Sequence, residues 1–377
     1  MHILFVANYS PPYGGGIQFV IASLSRRILG QGHSVTILAA DTGIPRGRST
    51  WQGATLLGVP ASNVLERRSV PYPLFHPAAL WRALGEALSQ ADAVHVHGLL
   101  YLSSVAAAWW ARRRGLPVIL TEHVGVVPYK SQALLLMQRL AMGTLGRFCL
   151  NQCDVVVVLN ERVASELRPL LPEATPLVKI PNGVDKGIFR PPDNRPELRE
   201  RLGVTGPTVL FAGRVVEKKG IDLVLHAARL LPELAFVICG QDSETLSDTP
   251  ANVRVVGKVD QATLAKWYGA ADVLLLPSEG EGFPLVVQEA LACGLPVMVT
   301  DDATNREYLS EEVAVFVPRD GERIAVALRR LFAMSEHLAA MRRPASQAAA
   351  RFDWEQTVAA YLRLYAGQDP STAISSG

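Results

Sequence analysis

Short apolar runs alternate along the first half of the chain with segments whose apolar residues recur at helical spacing. The runs are rich in β-branched residues and are bounded by polar, Gly or Pro residues, which predicts strands. We expect strands over residues 3–7, 35–40, 55–59, 93–97, 118–121 and 155–159, with helices over 18–29, 77–89 and 102–114. Strands separated by helices indicate a parallel sheet with helices on both faces.

The same pattern restarts after a Pro-rich linker at residues 191–196. Strands are predicted over residues 208–212, 235–239, 253–256, 273–276, 296–300 and 314–317. Two successive α/β units predict two Rossmann-like, doubly wound domains, the first over residues 1–188 and the second over 189–353, with a cleft between them. Ligands of open α/β sheets bind beyond the carboxyl ends of the strands, so the functional residues should follow strands.

Composition agrees with a globular protein of more than one core. A chain of 377 residues exceeds what one core usually supports, and 49% of its residues are hydrophobic and 19% charged. The N-terminus reads as a strand and not as a signal peptide. The most apolar helical stretch, residues 133–142, is interrupted by Gln138 and Arg139, so no transmembrane helix is expected. Four scattered cysteines without a CxxC pair favour free thiols in a reducing cytoplasm over disulfides or zinc.

Charge is unevenly distributed along the chain. Residues 1–190 carry 18 Lys and Arg against 10 Asp and Glu, a balance of +8, and the remainder has a balance of −6. A basic first half predicts that one domain faces an anion, either a phosphate-bearing substrate or a membrane surface. The counts leave both open.

A glycine run follows the first predicted strand. Gly14, Gly15 and Gly16 let the backbone approach a ligand and leave a helix N-terminus free to meet a phosphate. The run is not a dinucleotide fingerprint, because Phe19 stands where its last Gly is required, and no Gly-Lys-Ser/Thr of a Walker loop follows. A flexible turn explains the run equally well by itself.

Cations follow the first strand of the second half. Arg214 and Lys219 can converge on one anion, which would match a diphosphate leaving group and stabilise its developing charge. A solvated basic turn is the alternative.

Two glutamates flank the start of a predicted helix. Pro284 suits its first turn and Gly294 its C-terminal stop, which places Glu281 in the loop and Glu289 inside the helix. The helix N-terminus between them offers N–H groups to a phosphate. One carboxylate can then meet sugar hydroxyls and the other ribose hydroxyls, whereas two solvated acids remain the alternative.

Three histidines lie at or after strand ends. His95 and His97 alternate on one strand and so face the same side, but no third metal ligand accompanies them, which favours packed or hydrogen-bonded histidines. His123 follows the next strand, where substrates bind. The chain contains no Asp-x-Asp, which favours neutralisation of a diphosphate by Arg and Lys over a metal ion.

An aromatic and basic cluster ends the third predicted helix. Trp109 and Trp110 precede Arg112, Arg113 and Arg114. Such a cluster can anchor a helix to an anionic membrane interface. Core tryptophans followed by arginines at a helix C-terminus explain it at least as well.

Taken together, these segments resemble the GT-B glycosyltransferases of family 4, also called glycosyl transferases group 1. The matching stretches are the Gly14–16 loop, Gly-His-Ser-Val at 32–35, Thr-Glu-His at 121–123, Ile-Pro-Asn-Gly-Val-Asp at 180–185, Gly-Arg at 213–214, Lys-Gly at 219–220, Glu281 with Glu289, and Gly-Leu-Pro-Val at 294–297. Phe352, Trp354, Tyr361 and Tyr365 resemble the family's tail, so a C-terminal helix over about 354–377 is expected to cross back onto the first domain.

The resemblance implies roles for individual residues. His123, Arg214, Lys219 and Glu281 would be catalytic. The donor would be bound by Gly15, Gly16, Arg214, Lys219, Val259, Glu281, Gly282, Phe283, Pro284, Leu285 and Glu289. Within that set Gly16 and the two cations would meet the diphosphate, the Val259 backbone the base, and Glu289 the ribose. Glu281 and the backbone from Phe283 to Leu285 would hold the sugar and phosphate, and His123 would contact the transferred sugar.

The resemblance also implies a retaining transfer of a hexosyl, mannosyl or N-acetylhexosaminyl unit from a UDP- or GDP-sugar. The acceptor would be a carbohydrate or lipid-linked molecule of cell-envelope polysaccharide or lipopolysaccharide biosynthesis. No metal, other cofactor or nucleic acid would be needed. The enzyme would be cytoplasmic, with contact to the inner membrane as a further expectation. A nucleotide-sugar epimerase of GT-B fold and a non-catalytic nucleotide-binding homologue are the alternatives.

Overall fold

A computed structural model of the protein describes residues 1–64, 72–127, 131–240, 243, 246 and 248–369. The chain divides into two compact units, the first formed by Met1–Asn182 with Trp354–Gly377 and the second by Gly183–Asp353. The sequence pattern predicts the first boundary six residues later, after residue 188. Of the C-terminal segment predicted over 354–377, residues 370–377 lie outside the described part of the chain.

The first unit is built on an eight-stranded sheet in the order β10-β9-β8-β7-β1-β2-β4-β3. All neighbouring strands are parallel except β3, which runs antiparallel to β4 at one edge. The strands of the unit, including the separate β5–β6 ribbon, are β1 (His2–Val6), β2 (Ser34–Ala40), β3 (Gly47–Trp51), β4 (Ala54–Val59), β5 (Ala61–Ser62), β6 (Leu74–Phe75), β7 (Ala93–His97), β8 (Val118–Glu122), β9 (Val155–Val158) and β10 (Leu177–Lys179).

Helices cover this sheet. They are α1 (Gly16–Gly30), α2 (Pro77–Leu88), α3 (Leu102–Arg113), α4 (Gln132–Ala141), α5 (Arg147–Leu150), α6 (Glu161–Leu167) and α15 (Trp354–Tyr365). Helix α15 packs against α1, where Arg27 forms an ion pair with Glu355 at 3.3 Å and lies over the Trp354 ring. The last helix of the chain therefore belongs to the first unit.

The second unit contains a six-stranded, wholly parallel sheet in the order β13-β12-β11-β14-β15-β16. This order is the 3-2-1-4-5-6 arrangement of the Rossmann fold, in which the strand order reverses beside the first strand. The strands are β11 (Thr208–Ala212), β12 (Ala235–Cys239), β13 (Val253–Gly257), β14 (Val273–Leu276), β15 (Val297–Thr300) and β16 (Ala314–Val317). The helices are α7 (Arg195–Leu202), α8 (Ile221–Leu230), α9 (Gln261–Ala270), α10 (Leu285–Ala292), α11 (Ala303–Tyr308), α12 (Gly321–Ala333), α13 (Ser335–Ala340) and α14 (Arg342–Ala348).

Continuous burial explains why the central strands read as unbroken apolar runs. Every residue of β7, β8, β9, β11 and β14 is buried, as expected of parallel strands covered on both faces. The predicted strands are confirmed to within about one residue at either end. The prediction missed β3 and β10, which lie at the two edges of the first sheet, and the short β5–β6 ribbon. Edge strands are partly exposed and so lack the apolar run.

The sequence predicts that the chain has no transmembrane helix and that its cysteines are free thiols. Within the described residues, no helix combines the length and the apolar character that spanning a bilayer requires. All four cysteines are buried and free.

Candidate active site

The segment after β11 carries Arg214 and Lys219, the two cations that the sequence predicts to bind a diphosphate. A 3-10 turn, Glu217–Lys219, precedes α8, and Gly220 joins the two with a positive φ of 73°. A Cβ at Gly220 would lie 2.4 Å from the Pro277 carbonyl oxygen, so only glycine allows this turn to approach the loop after β14. The turn and that loop are thereby held together.

Lys219 and Glu281 meet across these two loops. The Lys219 Nζ lies 3.1 Å from Glu281 Oε2, and the Lys218 Nζ lies 3.9 Å from the other carboxylate oxygen. Burial alone would raise the pKa of Glu281, but Lys219, Lys218 and the more distant Arg214 outweigh burial and lower it. The sequence-predicted cations and the loop glutamate therefore share one charged cluster, in which Glu281 is ionised at neutral pH.

A clamp that sequence reasoning missed fixes the loop after β14. Arg319 donates from Nε to the Pro277 carbonyl at 3.0 Å and forms an ion pair with Glu279. The Glu279 backbone N–H in turn donates to the Lys218 carbonyl at 3.0 Å. Arg319 comes from the loop after β16, about 40 residues away, so no local pattern identifies it.

Helix α10 begins next to this cluster, one residue later than the sequence predicts. Pro284 has a ψ of 130° and caps the helix instead of forming its first turn, and its carbonyl accepts from the N–H groups of Val287 and Gln288. Leu285 is the first helical residue, because the extended ψ at Pro284 does not continue a helix. The first N–H groups of α10 have no intrahelical acceptor, and no side chain caps them. Gly294 follows the helix with a φ of 68°, as the predicted stop requires.

Aromatic packing anchors the loop that leads into α10. Phe283 is buried and stacks on Tyr308 with ring centroids 4.4 Å apart, and Phe352 lies 5.3 Å from it. Gly282 stands between Glu281 and this anchor. The backbone from Glu281 to Leu285 is therefore tied at a fixed place in the second unit.

Glu289 is buried inside α10 and has one partner that the sequence does not reveal. The Tyr268 hydroxyl, on α9, donates to Glu289 Oε2 at 3.1 Å. Burial raises the pKa of Glu289 to about 7, although the Tyr268 hydrogen bond acts in the opposite direction. Unlike Glu281, this carboxyl is partly protonated at neutral pH.

Val259 and the glycine loop complete the predicted set. Val259 lies between β13 and α9, where its side chain packs partly on the core of the second unit. In the first unit, Gly15 caps α1 with a φ of 118° and Gly16 is the first helical residue. A Cβ added at Gly16 would meet no heavy atom within 4 Å. The position that a side chain at Gly16 would occupy is therefore open.

Three histidines of the first unit, His95, His97 and His123, form a buried, hydrogen-bonded group. His95 contacts the Tyr365 hydroxyl through Nδ1 and the Thr121 hydroxyl through Nε2, both at 2.7 Å. His97 Nδ1 lies 3.0 Å from His123 Nε2. The His95 and His97 rings are 4.1 Å apart, on the same side of β7 as their alternation predicts. Across the described ranges, no cluster of three His, Cys, Asp or Glu side chains is arranged to hold a metal ion.

Two glutamates and one arginine hold the loop that presents His123. The Glu122 carboxylate accepts from the backbone N–H groups of Leu99 at 2.8 Å and of Val124 and Gly125 at 3.1 Å. On the other side, Glu166 accepts from the Val126 N–H at 2.7 Å and pairs with Arg162. Sequence reasoning missed these supports, because Glu166 and Arg162 stand on α6, about 40 residues further on.

The aromatic and basic side chains at the end of α3 contact one another and the neighbouring helix α2. Trp110 stacks on Trp81 of α2 at 4.0 Å, and Arg113 lies over the Trp109 ring at 4.1 Å. Both helix tryptophans are half-buried. The rings pack between helices and the arginines lie exposed at the helix end, which agrees with the second of the two sequence alternatives.

Comparison with known proteins agrees with this architecture over nearly the whole chain. Residues 14–188 match the family model described as Glycosyltransferase Family 4, and residues 194–348 match Glycosyl transferases group 1. A D-inositol 3-phosphate glycosyltransferase of Xylanimonas cellulosilytica is 31% identical over 93% of this chain and 91% of its own. A phosphatidyl-myo-inositol mannosyltransferase of Mycolicibacterium smegmatis is 28% identical over 97% of this chain and 93% of its own.

A solved structure shows the same fold at lower identity. Anabaena Alr3699/HepE, in complex with UDP and glucose, superposes with a TM-score of 0.75 at 15% identity and covers 97% of this chain and 100% of its own. The two family models together match residues of both units. The chain therefore belongs to the group 1 glycosyl transferases of glycosyltransferase family 4, which have the GT-B fold.

Proposed function

We propose that this glycosyltransferase transfers a hexosyl, mannosyl or N-acetylhexosaminyl unit from a UDP- or GDP-sugar, with retention at the anomeric carbon and without a metal ion. One observation carries the proposal: Lys219 meets Glu281 at 3.1 Å beside the start of α10, whose first N–H groups have no side-chain cap. The arrangement offers a diphosphate two kinds of positive charge, side-chain cations and a helix N-terminus.

In this proposal the cations act on the leaving group. As the glycosidic bond breaks, negative charge accumulates on the diphosphate, and Lys219 with Arg214 stabilises that charge more strongly than it stabilises the bound donor. Lys219 also keeps Glu281 ionised, so Glu281 can accept hydrogen bonds from sugar hydroxyls. Lys219 and Arg214 thereby perform the neutralisation for which other enzymes use a bound metal ion.

The remaining predicted residues bind the rest of the donor. The Glu289 carboxylate accepts from ribose hydroxyls, and the Val259 backbone contacts the base. The backbone of Gly282, Phe283 and Leu285, together with Gly15 and Gly16 of the first unit, lies against the diphosphate and sugar. His123 of the first unit contacts the transferred sugar.

The comparisons guide the choice of substrates to test. HepE was solved with UDP and glucose, and the two sequence relatives are named for D-inositol 3-phosphate and phosphatidyl-myo-inositol. We therefore propose a carbohydrate or lipid-linked acceptor of cell-envelope glycan biosynthesis, with phosphorylated inositols as the first acceptors to try. The reaction would take place in the cytoplasm, at the inner face of the membrane.

A panel of nucleotide sugars tests this function. In EDTA, the true donor should raise the melting temperature by mass action, and other donors should not. Transfer to an acceptor is then followed by NMR, which reports the configuration of the new bond. An inverted product would contradict retention, and loss of turnover in EDTA would contradict metal independence.

Efficient epimerisation of the donor without acceptor would favour the epimerase alternative. Donor binding without turnover of any acceptor would favour the non-catalytic one.

A second observation supports a proposal of peripheral membrane contact through α4. Leu136, Met137 and Leu140 lie on one face of this helix, each about 60% exposed, and no residue of α4 is buried. The sequence from 123 to 153 contains no Asp or Glu, whereas Arg139 and Arg147 are exposed beside the apolar face. An apolar helix face flanked by cations matches an anionic bilayer interface. We therefore propose α4, and not the self-packed Trp109–Trp110 cluster, as the membrane contact.

Vesicle binding tests this assignment. The protein should bind phosphatidylglycerol vesicles more strongly than phosphatidylcholine vesicles, and added salt should weaken the binding. Leu136→Gln combined with Leu140→Gln should abolish it. Leu230→Gln, at an exposed leucine of α8 in the second unit, is the matched control and should bind normally. Equal binding to both vesicle types, or a concentration-dependent dimer that requires Leu136 and Leu140, would contradict the membrane assignment.

A further inference from the structure

Two buried imidazoles of the first unit are joined by one hydrogen bond. His97, the last residue of β7, places Nδ1 3.0 Å from Nε2 of His123, which directly follows β8. The two rings are nearly parallel, at an interplanar angle of 20°. His97 is 1% exposed and His123 is 4% exposed.

The other ring nitrogen of His97 has no hydrogen-bond partner among the described residues. Its surroundings include the edge-on ring of Phe5 and the ring of His95. His95 offers no partner, because Tyr365 and Thr121 already engage both of its nitrogens. His97 Nε2 is therefore buried and has no hydrogen-bond partner among the described residues.

Nδ1 of His97 has a hydrogen-bond partner and Nε2 has none, and this difference determines which ring nitrogens carry hydrogen. A buried N–H without an acceptor costs more than an unprotonated nitrogen without a donor, so His97 carries its hydrogen on Nδ1. Nδ1–H then donates to His123 Nε2, which must be unprotonated to accept. A neutral imidazole with a bare Nε2 carries its hydrogen on Nδ1.

Both rings are neutral under ordinary conditions. Burial lowers the pKa of His123 to about 4, and burial together with the neighbouring histidines lowers the pKa of His97 well below its usual value. The Glu122 carboxylate next to His123 accepts from three backbone N–H groups, and it raises the pKa of neither ring. The pair therefore shares hydrogen atoms without net charge.

We propose that His97 is a positioning residue that holds His123 in the Nδ1–H tautomer, so that His123 presents a hydrogen-bond donor to an oxygen atom of the substrate. The fit is to a sugar hydroxyl or to an oxygen that gains negative charge. This proposal rests on the proposed function in one respect, namely that His123 contacts the transferred sugar.

The wild-type protein tests the tautomer directly. Histidine-selective ¹⁵N NMR distinguishes a protonated Nδ1 from a protonated Nε2, and the measurement requires only the folded enzyme. We expect His123 to carry hydrogen on Nδ1 from about pH 6 to about pH 8, a range that begins about two units above its pKa of about 4. Hydrogen on His123 Nε2 would overturn the proposal whatever the activity.

Substitutions test the consequence. His97→Leu removes the donor, whereas the amide of His97→Asn can place an N–H close to the position of Nδ1. We expect His97→Leu to lower kcat by about tenfold or more with donor KM nearly unchanged, and His97→Asn to recover most of the loss. His95→Leu is the matched control on the same strand. It should lower the melting temperature while leaving the His123 tautomer unchanged.

The two proposals fail in different ways. If His123→Ala is fully active, the contact of His123 with the sugar is wrong, although the tautomer can still be read by NMR. If His123→Ala is inactive while His97→Leu has wild-type kcat and the wild-type His123 tautomer, the positioning role alone is wrong.

Discussion

At the carboxyl ends of its strands the second unit gathers charges, whereas the first unit gathers neutral imidazoles at the equivalent edge of its sheet. Lys219 stabilises the charged form of Glu281, and the two side chains remain about one-fifth exposed. The histidines are fully buried and hold their positions through hydrogen bonds. Two sheets of related topology thus support opposite kinds of polar chemistry, and the difference lies in the loops.

The contrast suggests a division of labour. A diphosphate carries the charge of a nucleotide sugar, so a unit that binds it needs cations and free N–H groups. A sugar ring is neutral, so a group that contacts it needs oriented donors and acceptors more than charge. The predictions below change one side of this contrast at a time.

The largest effect is expected at Lys219. Lys219→Ala should lower kcat by about 10²–10³-fold, because it removes a cation that faces charge developing in the transition state. Steady-state kinetics with the identified donor measures the loss. Lys218→Ala is the matched control, since its Nζ is 3.9 Å from Glu281, and it should have a smaller effect. Wild-type kinetics in the Lys219 variant would remove the basis for the charged site.

A smaller loss is expected at Gly16, where the first unit contributes backbone and not charge. Gly16→Ala should leave the melting temperature unchanged or higher, because the added Cβ meets no neighbour and Ala favours a helix. Donor affinity should fall by about tenfold if a diphosphate approaches this backbone. Gly30→Ala at the other end of α1 also has open space, so its melting temperature should likewise be unchanged or higher, and donor affinity should not change. Unchanged donor affinity in Gly16→Ala would show that the diphosphate stays away from α1.

Glu289 offers a pH-dependent test. Ribose hydroxyls donate to a carboxylate, so binding requires the ionised form, and burial raises the pKa of Glu289 to about 7. Donor affinity should therefore be constant above about pH 8 and fall by up to about tenfold per pH unit below pH 7. Titration calorimetry from pH 5.5 to pH 8.5, a window of roughly 1.5 units around that pKa, measures the profile. Glu289→Gln should flatten it, and an equally steep profile in that variant would assign the titration elsewhere.

The raised pKa of Glu289 also affects the stability of the free protein, but in the opposite direction. Stability should fall as pH rises, whereas donor affinity should rise. Because the folded pKa lies above the usual 4.5, the neutral form contributes stability that is complete below pH 4.5 and is lost as pH rises through about 7. The melting temperature without ligand should decline across that interval more in the wild type than in Glu289→Gln. Equal declines would contradict the raised pKa.

The smallest effect is expected for hydrogen bonds within the histidine group. Tyr365→Phe leaves His95 Nδ1 buried without its partner at 2.7 Å, which should reduce the free energy of unfolding by about 1–3 kcal/mol. Urea denaturation measures the loss, and kcat should change little. A large loss of kcat at unchanged stability would mean that Tyr365 acts in the reaction and not only in the fold.

Much of this molecule was predictable from local sequence patterns. Central strands such as β8 and β11 are buried throughout, so their residues form apolar runs that the sequence displays directly. Strand ends then locate Arg214, Lys219 and Glu281 in loops. The start of α10 was predicted one residue too early, because Pro284 is common both in a first helical turn and just before one.

The long-range partners were not predictable in this way. Tyr268 is 21 residues from Glu289, and Tyr365 is 270 residues from His95. Tertiary packing of separate helices and strands brings these pairs together, and no spacing in one sequence encodes it. The edge strand β10, with three residues and an exposed Lys179, lacks the apolar run that reveals a central strand.

Binding of a nucleoside diphosphate tests the central claim most directly. In EDTA, calorimetry compares UDP and GDP with the corresponding nucleosides, using the wild type and Lys219→Ala. We predict that one diphosphate binds the wild type and binds the variant at least about tenfold more weakly, whereas the nucleoside does not distinguish the two proteins. Equal affinity of the diphosphate for both proteins would contradict a diphosphate site at Lys219.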